Sequence, residues 1–96
     1  MRFRWSRDAG RDRDDIFDFI AGENFNAAVA NDDRIAAIEA QLSRFPESGR
    51  RGRIDGTREW VVTGTPFIAI YRIEEDTLTV LRLIHGAQLW PPADRV

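Results

Sequence analysis

Few residues in this sequence could perform acid–base chemistry. His85 is the only histidine, and its unperturbed pKa suits proton transfer near neutral pH. Arg58 and Arg82 could stabilise developing negative charge beside it, so these three residues form the one candidate catalytic set. On a regular strand, however, Arg82 and His85 face opposite sides of the sheet, and only a bulge would bring them together. We therefore expect His85 to bond to backbone or to a neighbouring carboxylate.

Metal and cofactor chemistry finds no support in the sequence. Cysteine is absent, and a single histidine cannot supply the ligands of a zinc site. The sequence contains no nucleophile triad and no phosphate-binding loop. We therefore predict that the protein has no metal and no cofactor.

Arginine supplies all of the positive charge, and the densest patch is Arg50-Arg51-Gly52-Arg53. A glycine-containing loop of this kind could contact nucleic acid or an acidic segment of a partner, or it could be a solvated turn. The formal net charge is −2. Since phosphate contacts supply most of the non-specific affinity for nucleic acid, direct binding would have to use a local patch.

Two further arginines and a tryptophan are candidate binding residues. Arg72 and Arg82 lie in otherwise apolar strands, where a charge is costly unless it pairs or reaches solvent. They could face a concave sheet surface on which a partner docks, or they could pair internally with Glu59 or Glu74. Trp90 could be buried against the sheet or exposed to a partner. The predicted binding set is Arg50, Arg51, Arg53, Arg58, Arg72, Arg82 and Trp90.

The first half of the chain is predicted to form a short strand and two helices. Residues 2–5 alternate between charged and aromatic, as a half-buried strand does. Ser6 can cap a helix that runs to about Ala21, and Asn24 or Asn26 can cap the next. The second helix carries an apolar stripe and ends at Pro46. We expect the two helices to form an antiparallel hairpin.

The second half is predicted to form a loop and three strands. Residues 46–57 are rich in glycine and indicate a loop, and strand-like segments follow at 59–63, 67–73 and 77–85. Their short connections favour an antiparallel meander, in which segment 67–73, apolar on both faces, is central. The prediction is one α+β domain over residues 1–96, with the helices on one face of the sheet. With no long apolar run and no signal peptide, we expect a cytoplasmic protein without membrane contact.

Several motifs, in this order and spacing, resemble the RelE/ParE toxin superfamily, and more closely its ParE branch. They are Trp5-Ser6 before an Asp-rich helix, Pro46 and Gly49-Arg50 before the sheet, the segment 70–73, and the segment 80–88. The resemblance implies a RelE/ParE-like fold and a growth inhibitor from a type II toxin–antitoxin module. It further implies a cognate ParD/RelB-like antitoxin that wraps a disordered segment round the toxin in a hetero-oligomer.

The superfamily contains two activities, which the shared fold cannot separate. RelE-like members cut messenger RNA on the ribosome and carry basic residues on the first strand of the meander, on the central strand and near the chain end. Aligned through Tyr71, those places hold Glu59 and Val61, Ile68, and Gln88. None of the four is basic, and a carboxylate would repel the phosphate.

The resemblance therefore favours a ParE-like inhibitor of DNA gyrase that has no catalytic residues of its own. One alternative is a ribosome-dependent messenger RNA endonuclease with an atypical set at Arg58, Arg82 and His85. A second is an inactive member that still binds its antitoxin.

Overall fold

The computed structural model describes residues 1–92, in which three helices lie on one face of a five-stranded sheet. Residues 93–96, which the predicted domain includes, lie outside the described residues. The sheet order is β1-β5-β4-β3-β2, with β1 parallel to β5 and every other pair antiparallel. The predicted α+β class and antiparallel meander are confirmed. The elements are β1 (Arg2–Trp5), α1 (Arg7–Ala21), α2 (Phe25–Ala36), α3 (Ile38–Arg44), β2 (Arg50–Arg51), β3 (Arg58–Val61), β4 (Phe67–Glu74) and β5 (Thr77–His85).

Helices α1 and α2 begin where the sequence predicts. Ser6 Oγ accepts a hydrogen bond from the Ala9 amide at 3.0 Å, and Asn24 Oδ1 accepts one from the Ala27 amide at 2.9 Å. Each side chain thereby satisfies an amide that has no partner within its helix. Among residues 1–92, no helix combines the length and apolar character needed to cross a bilayer.

The prediction of one continuous second helix is wrong, because α2 and α3 are separate helices that meet at Ala37. Ala37 keeps right-handed helical angles, but the bond from the Gln41 amide to its carbonyl stretches to 3.5 Å. Ile35, before this break, and Ile38, after it, are both buried. The apolar stripe therefore continues across Ala37, so the spacing of apolar residues in the sequence gives no sign of the break.

The prediction that residues 46–57 form only a loop is also wrong, because they include the edge strand β2. Arg50 pairs with Glu59 and Arg51 with Arg58. Two residues are too few to show the alternation that marks a strand in sequence. The segment is also tied down by the Tyr71 hydroxyl, which accepts from the Gly49 amide at 2.9 Å and donates to the Pro46 carbonyl at 2.7 Å.

Strand β4 is central, as predicted, and it contributes to two apolar clusters. Ala69 and Tyr71 belong to the main core, which lies between the sheet and the helices. Ile68 and Ile70 face the other way and join a smaller cluster with Ile84 and Trp90. The register between β4 and β5 shifts next to Ile70, so that β5 carries one extra residue, Leu81, at a bulge.

Candidate functional site

Glu59 is the centre of an ion-pair cluster on the sheet face opposite the helices. Its side chain is only 1% exposed. Oε1 accepts from Arg50 Nη2 and from Arg53 Nη2, both at 2.9 Å, while Oε2 accepts from the Arg53 amide at 3.0 Å and from Arg53 Nε at 3.1 Å. These bonds, chiefly those from the Arg53 side chain, lower the pKa of Glu59 to about 2. Glu59 is thus an ionised structural carboxylate.

The arginine loop is largely committed to this cluster. Besides binding Glu59, Arg53 donates from Nη1 to the Trp90 carbonyl at 3.4 Å, and the hydrogen bond to Glu59 raises its pKa. Arg50 and Arg53 therefore hold the loop against the sheet. All three loop arginines are exposed, and of the three Arg51 alone makes no ion pair within residues 1–92.

Arg58 supports the turn that precedes β2. Its Nη1 donates to the Gly49 carbonyl at 2.9 Å and to the Glu47 carbonyl at 3.2 Å, and its Nη2 lies 3.5 Å from a Glu47 carboxylate oxygen. Arg58 pairs in register with Tyr71, on the side of the sheet that faces the helices. Its hydrogen bonds hold the backbone of residues 47–49.

Arg82 forms a two-pronged pair with Asp12 of α1, a partner that sequence reasoning missed. Its Nε and Nη2 donate to the two carboxylate oxygens at 2.7 and 3.2 Å, and Asp12 also accepts from the Leu83 amide at 2.9 Å. The hydrogen bond to Asp12 raises the pKa of Arg82. Because 70 residues separate the partners, no local pattern could have indicated the pair.

Arg72 pairs with Glu74, one of the two partners considered from the sequence. The distance from its Nε to Glu74 Oε1 is 2.6 Å, and both side chains are about half or more exposed, at 48% and 69%. An exposed pair of this kind contributes about 1 kcal/mol or less. Arg72 is consequently the more accessible of the two strand arginines.

The structure does not bring Arg58, Arg82 and His85 together. In register, Arg82 lies opposite Ile70 and His85 opposite Phe67, so the two side chains occupy opposite faces. The bulge at Leu81 comes before Arg82 and leaves that alternation unchanged. As expected, His85 bonds to backbone: its Nδ1 accepts from the Ala87 amide at 3.0 Å. Its ring packs edge-on against Phe67, with the centroids 5.6 Å apart.

A cavity of about 620 Å³ brings Arg72, Arg82 and Trp90 to one place. It lies on the sheet face opposite the helices, where Ile70 and Leu81 contribute apolar side chains. Trp90 is only 6% exposed, and its ring lies 5.7 Å from the Arg82 guanidinium carbon. Trp90 is therefore buried against the sheet, one of the two positions considered for it. Within residues 1–92, no group of three His, Asp or Glu side chains is placed to hold a metal ion.

Comparisons with known proteins agree across sequence and structure. Residues 3–90 match a family model described as "ParE toxin of type II toxin-antitoxin system, parDE". A protein of Sinorhizobium fredii (strain NBRC 101917 / NGR234), Y4kP, whose name describes it as a candidate toxin, is 39% identical over 90 residues, covering 94% of this chain and 93% of that protein.

Two solved structures share the fold. One, described as a chromosomal ParDE TA system from P. aeruginosa, superposes with a TM-score of 0.80 at 24% identity, covering 88% of this chain and 95% of the other. The second is a conserved hypothetical protein from Helicobacter pylori, with a TM-score of 0.56 at 18% identity, covering 94% of this chain and 99% of the other.

Proposed function

The chain belongs to the ParE toxin family of type II toxin–antitoxin systems, and from that premise we propose that it arrests growth by binding DNA gyrase until a cognate antitoxin neutralises it. Membership follows from the family match over residues 3–90. The choice of gyrase as the target is the proposal, and it depends on which chemistry the residues can perform.

Glu59 is the observation that favours a protein-binding inhibitor over a nuclease. RNA cleavage needs cations at the phosphate and a group that moves a proton. Glu59 lies where a RelE-like nuclease places a basic residue, and its carboxylate is fully engaged by Arg50 and Arg53. A carboxylate with a pKa of about 2 is a poor base near neutral pH.

The alternative catalytic set gains no support from its geometry. Arg58 holds backbone carbonyls of the loop, Arg82 is paired with Asp12, and His85 lies on the face opposite Arg82. Such an arrangement cannot surround one phosphate. An inhibitor that acts by binding needs no such set.

An antitoxin partner is supported by the family and by the available surfaces. The P. aeruginosa structure with the same fold is described as a ParDE system, that is, a toxin with its antitoxin. This chain offers a cavity on the sheet face opposite the helices, with the exposed Arg72–Glu74 pair in its lining. We infer that an antitoxin segment covers part of this face and blocks contact with the target.

The proposal is tested by inducing the chain in bacteria with and without the antitoxin encoded beside its gene. We expect growth arrest together with plasmid DNA that loses negative supercoils or carries breaks, and we expect the antitoxin to reverse both effects. Growth arrest with normal plasmid topology and degraded messenger RNA would refute gyrase as the target. Unimpaired growth at high toxin level would indicate an inactive member.

A further inference from the structure

The cavity on the sheet face has an apolar lining and an excess of negative charge. Ile54, Ile70 and Leu81 supply apolar side chains. Both arginines that line it are already neutralised: Arg72 by Glu74, which also lines the cavity, and Arg82 by a carboxylate of α1. A negatively charged group entering the cavity would therefore find no guanidinium without a partner.

Two carboxylates of the rim form no close ion pair of this kind, although Asp8 is near enough to Arg82 to contribute to its raised pKa. Asp8, in the first turn of α1, and Asp55, in the loop between β2 and β3, both line the cavity and are exposed. Neither forms an ion pair within residues 1–92. Because they lie on different elements, a positively charged group between them would interact with carboxylates on two sides of the cavity.

A long cationic side chain would fit both the apolar lining and the negative charge of the cavity. Lysine and arginine place an aliphatic stem along apolar surface while the charged end reaches polar groups. Trp90 also lines the cavity and adds to its apolar surface.

The adjacent side of α1 continues the same pattern. Asp15 and Phe19 lie within about 20° of Asp8 around the helix, since residues separated by seven or eleven positions share a face. Asp15 forms no ion pair within residues 1–92, and Phe19 is 82% exposed. Asp15 lies about 10 Å along the axis from Asp8, so a partner could place a second cation there and an apolar residue beyond it.

We propose that this surface, formed by the cavity together with Asp8, Asp15 and Phe19, binds a cationic segment of the antitoxin. The segment places an arginine or lysine in the cavity, between Asp8 and Asp55. This inference rests on the proposed function, because the antitoxin is the partner. It predicts that positive residues of the antitoxin make these contacts, whereas an acidic segment would be directed to the arginine loop.

The test measures the Kd between the purified chain and the full-length antitoxin encoded beside its gene, at two salt concentrations. The variant is Asp8→Asn/Asp55→Asn, and the matched control is Asp14→Asn, an exposed carboxylate that lies about 120° from Asp8 around α1. We expect the double variant to bind at least tenfold more weakly, with a smaller salt dependence, and the control to change Kd by less than twofold. Thermal denaturation of each variant checks that it remains folded.

Charge reversal gives a second measurement. Asp8→Lys/Asp55→Lys must weaken binding more than the asparagine pair, whereas unchanged or tighter binding would overturn the inference. If a variant of Asp8 and Asp55 no longer inhibited growth but still bound the antitoxin with unchanged affinity, the surface would belong to target binding, and the inference would also be overturned. These outcomes leave the proposed function standing. Failure of the unmodified chain to bind the antitoxin at all would instead refute both.

Discussion

Glu59 and Arg53 are joined by three hydrogen bonds, two from the guanidinium at 2.9 and 3.1 Å and one from the Arg53 amide at 3.0 Å. The hydrogen bond from the backbone amide fixes the backbone of the loop, and the two from the guanidinium fix the side chain of Arg53. A carboxylate that is almost fully buried is tolerable only when its charge is matched in this way. The pair between Glu59 and Arg53 is therefore part of the structural framework that holds the loop on the sheet.

We predict that Glu59→Gln destabilises the chain by about 1–3 kcal/mol at pH 7. The folded pKa of about 2 is below the ordinary value of 4.5. The ionised carboxylate therefore stabilises the folded chain above about pH 4.5, and this contribution is lost as the pH falls towards 2. Urea denaturation from pH 7 to pH 3 should show the gap between the natural chain and the variant narrowing.

The control for this experiment is Glu47→Gln. Glu47 is 79% exposed and lies 3.5 Å from Arg58, so its removal should change stability by less than about 0.5 kcal/mol. Stability curves of the natural chain and Glu59→Gln that stay parallel over the whole pH range would contradict this account of Glu59.

We predict that Tyr71→Phe costs about 1–3 kcal/mol although the change removes only one oxygen. The hydroxyl bridges the Gly49 amide and the Pro46 carbonyl, and without it the buried Gly49 amide loses its partner. Hydrogen exchange should show loss of protection at the Gly49 amide. Stability and protection both equal to those of the natural chain would mean that water replaces the hydroxyl.

Two glycine substitutions should have opposite effects. A Cβ on Gly49 would lie 2.5 Å from the Tyr71 hydroxyl and 3.0 Å from the Glu59 carbonyl, so Gly49→Ala should destabilise by about 1–3 kcal/mol. A Cβ on Gly10, inside α1, meets no atom within 4 Å, and Gly10→Ala should stabilise by about 0.5–1 kcal/mol. A midpoint for Gly49→Ala at or above that of the natural chain would contradict the described loop packing, and a lower midpoint for Gly10→Ala would contradict the open space at that position.

We predict that His85→Ala keeps growth inhibition within about twofold of the natural chain. Removing a general acid or base typically lowers a rate by about 10²–10⁴-fold. His85 instead accepts a bond from the Ala87 amide and packs on Phe67. The measurement is growth arrest at matched protein level, with circular dichroism to confirm folding. A loss of inhibition by a folded variant would restore the nuclease alternative.

The sequence predicted the features that depend on local signals. Ser6 and Asn24 cap their helices because a short polar side chain can bond the third amide after it, and this preference is visible without any tertiary context. The central position of β4 followed in the same way from apolar residues on both of its faces.

The features that the sequence did not predict depend on contacts between distant segments. The pair between Asp12 and Arg82 and the edge strand β2 are of this kind, and the break at Ala37 has no helix-breaking residue to mark it in the sequence. The sequence indicates that Glu59 is unsuited to binding phosphate. Its role in holding the arginine loop depends on tertiary contacts, which the sequence alone does not show. The sequence therefore indicates which arginines are candidate binding residues, but it does not indicate the carboxylates with which they pair.

DNA supercoiling by purified gyrase, with increasing amounts of the purified chain, tests the central claim most directly. We predict that the chain blocks supercoiling or traps cleaved DNA, that the purified antitoxin reverses this, and that His85→Ala behaves like the natural chain. Gyrase that supercoils normally at high toxin concentration, while the same preparation cleaves messenger RNA on ribosomes, would contradict the account.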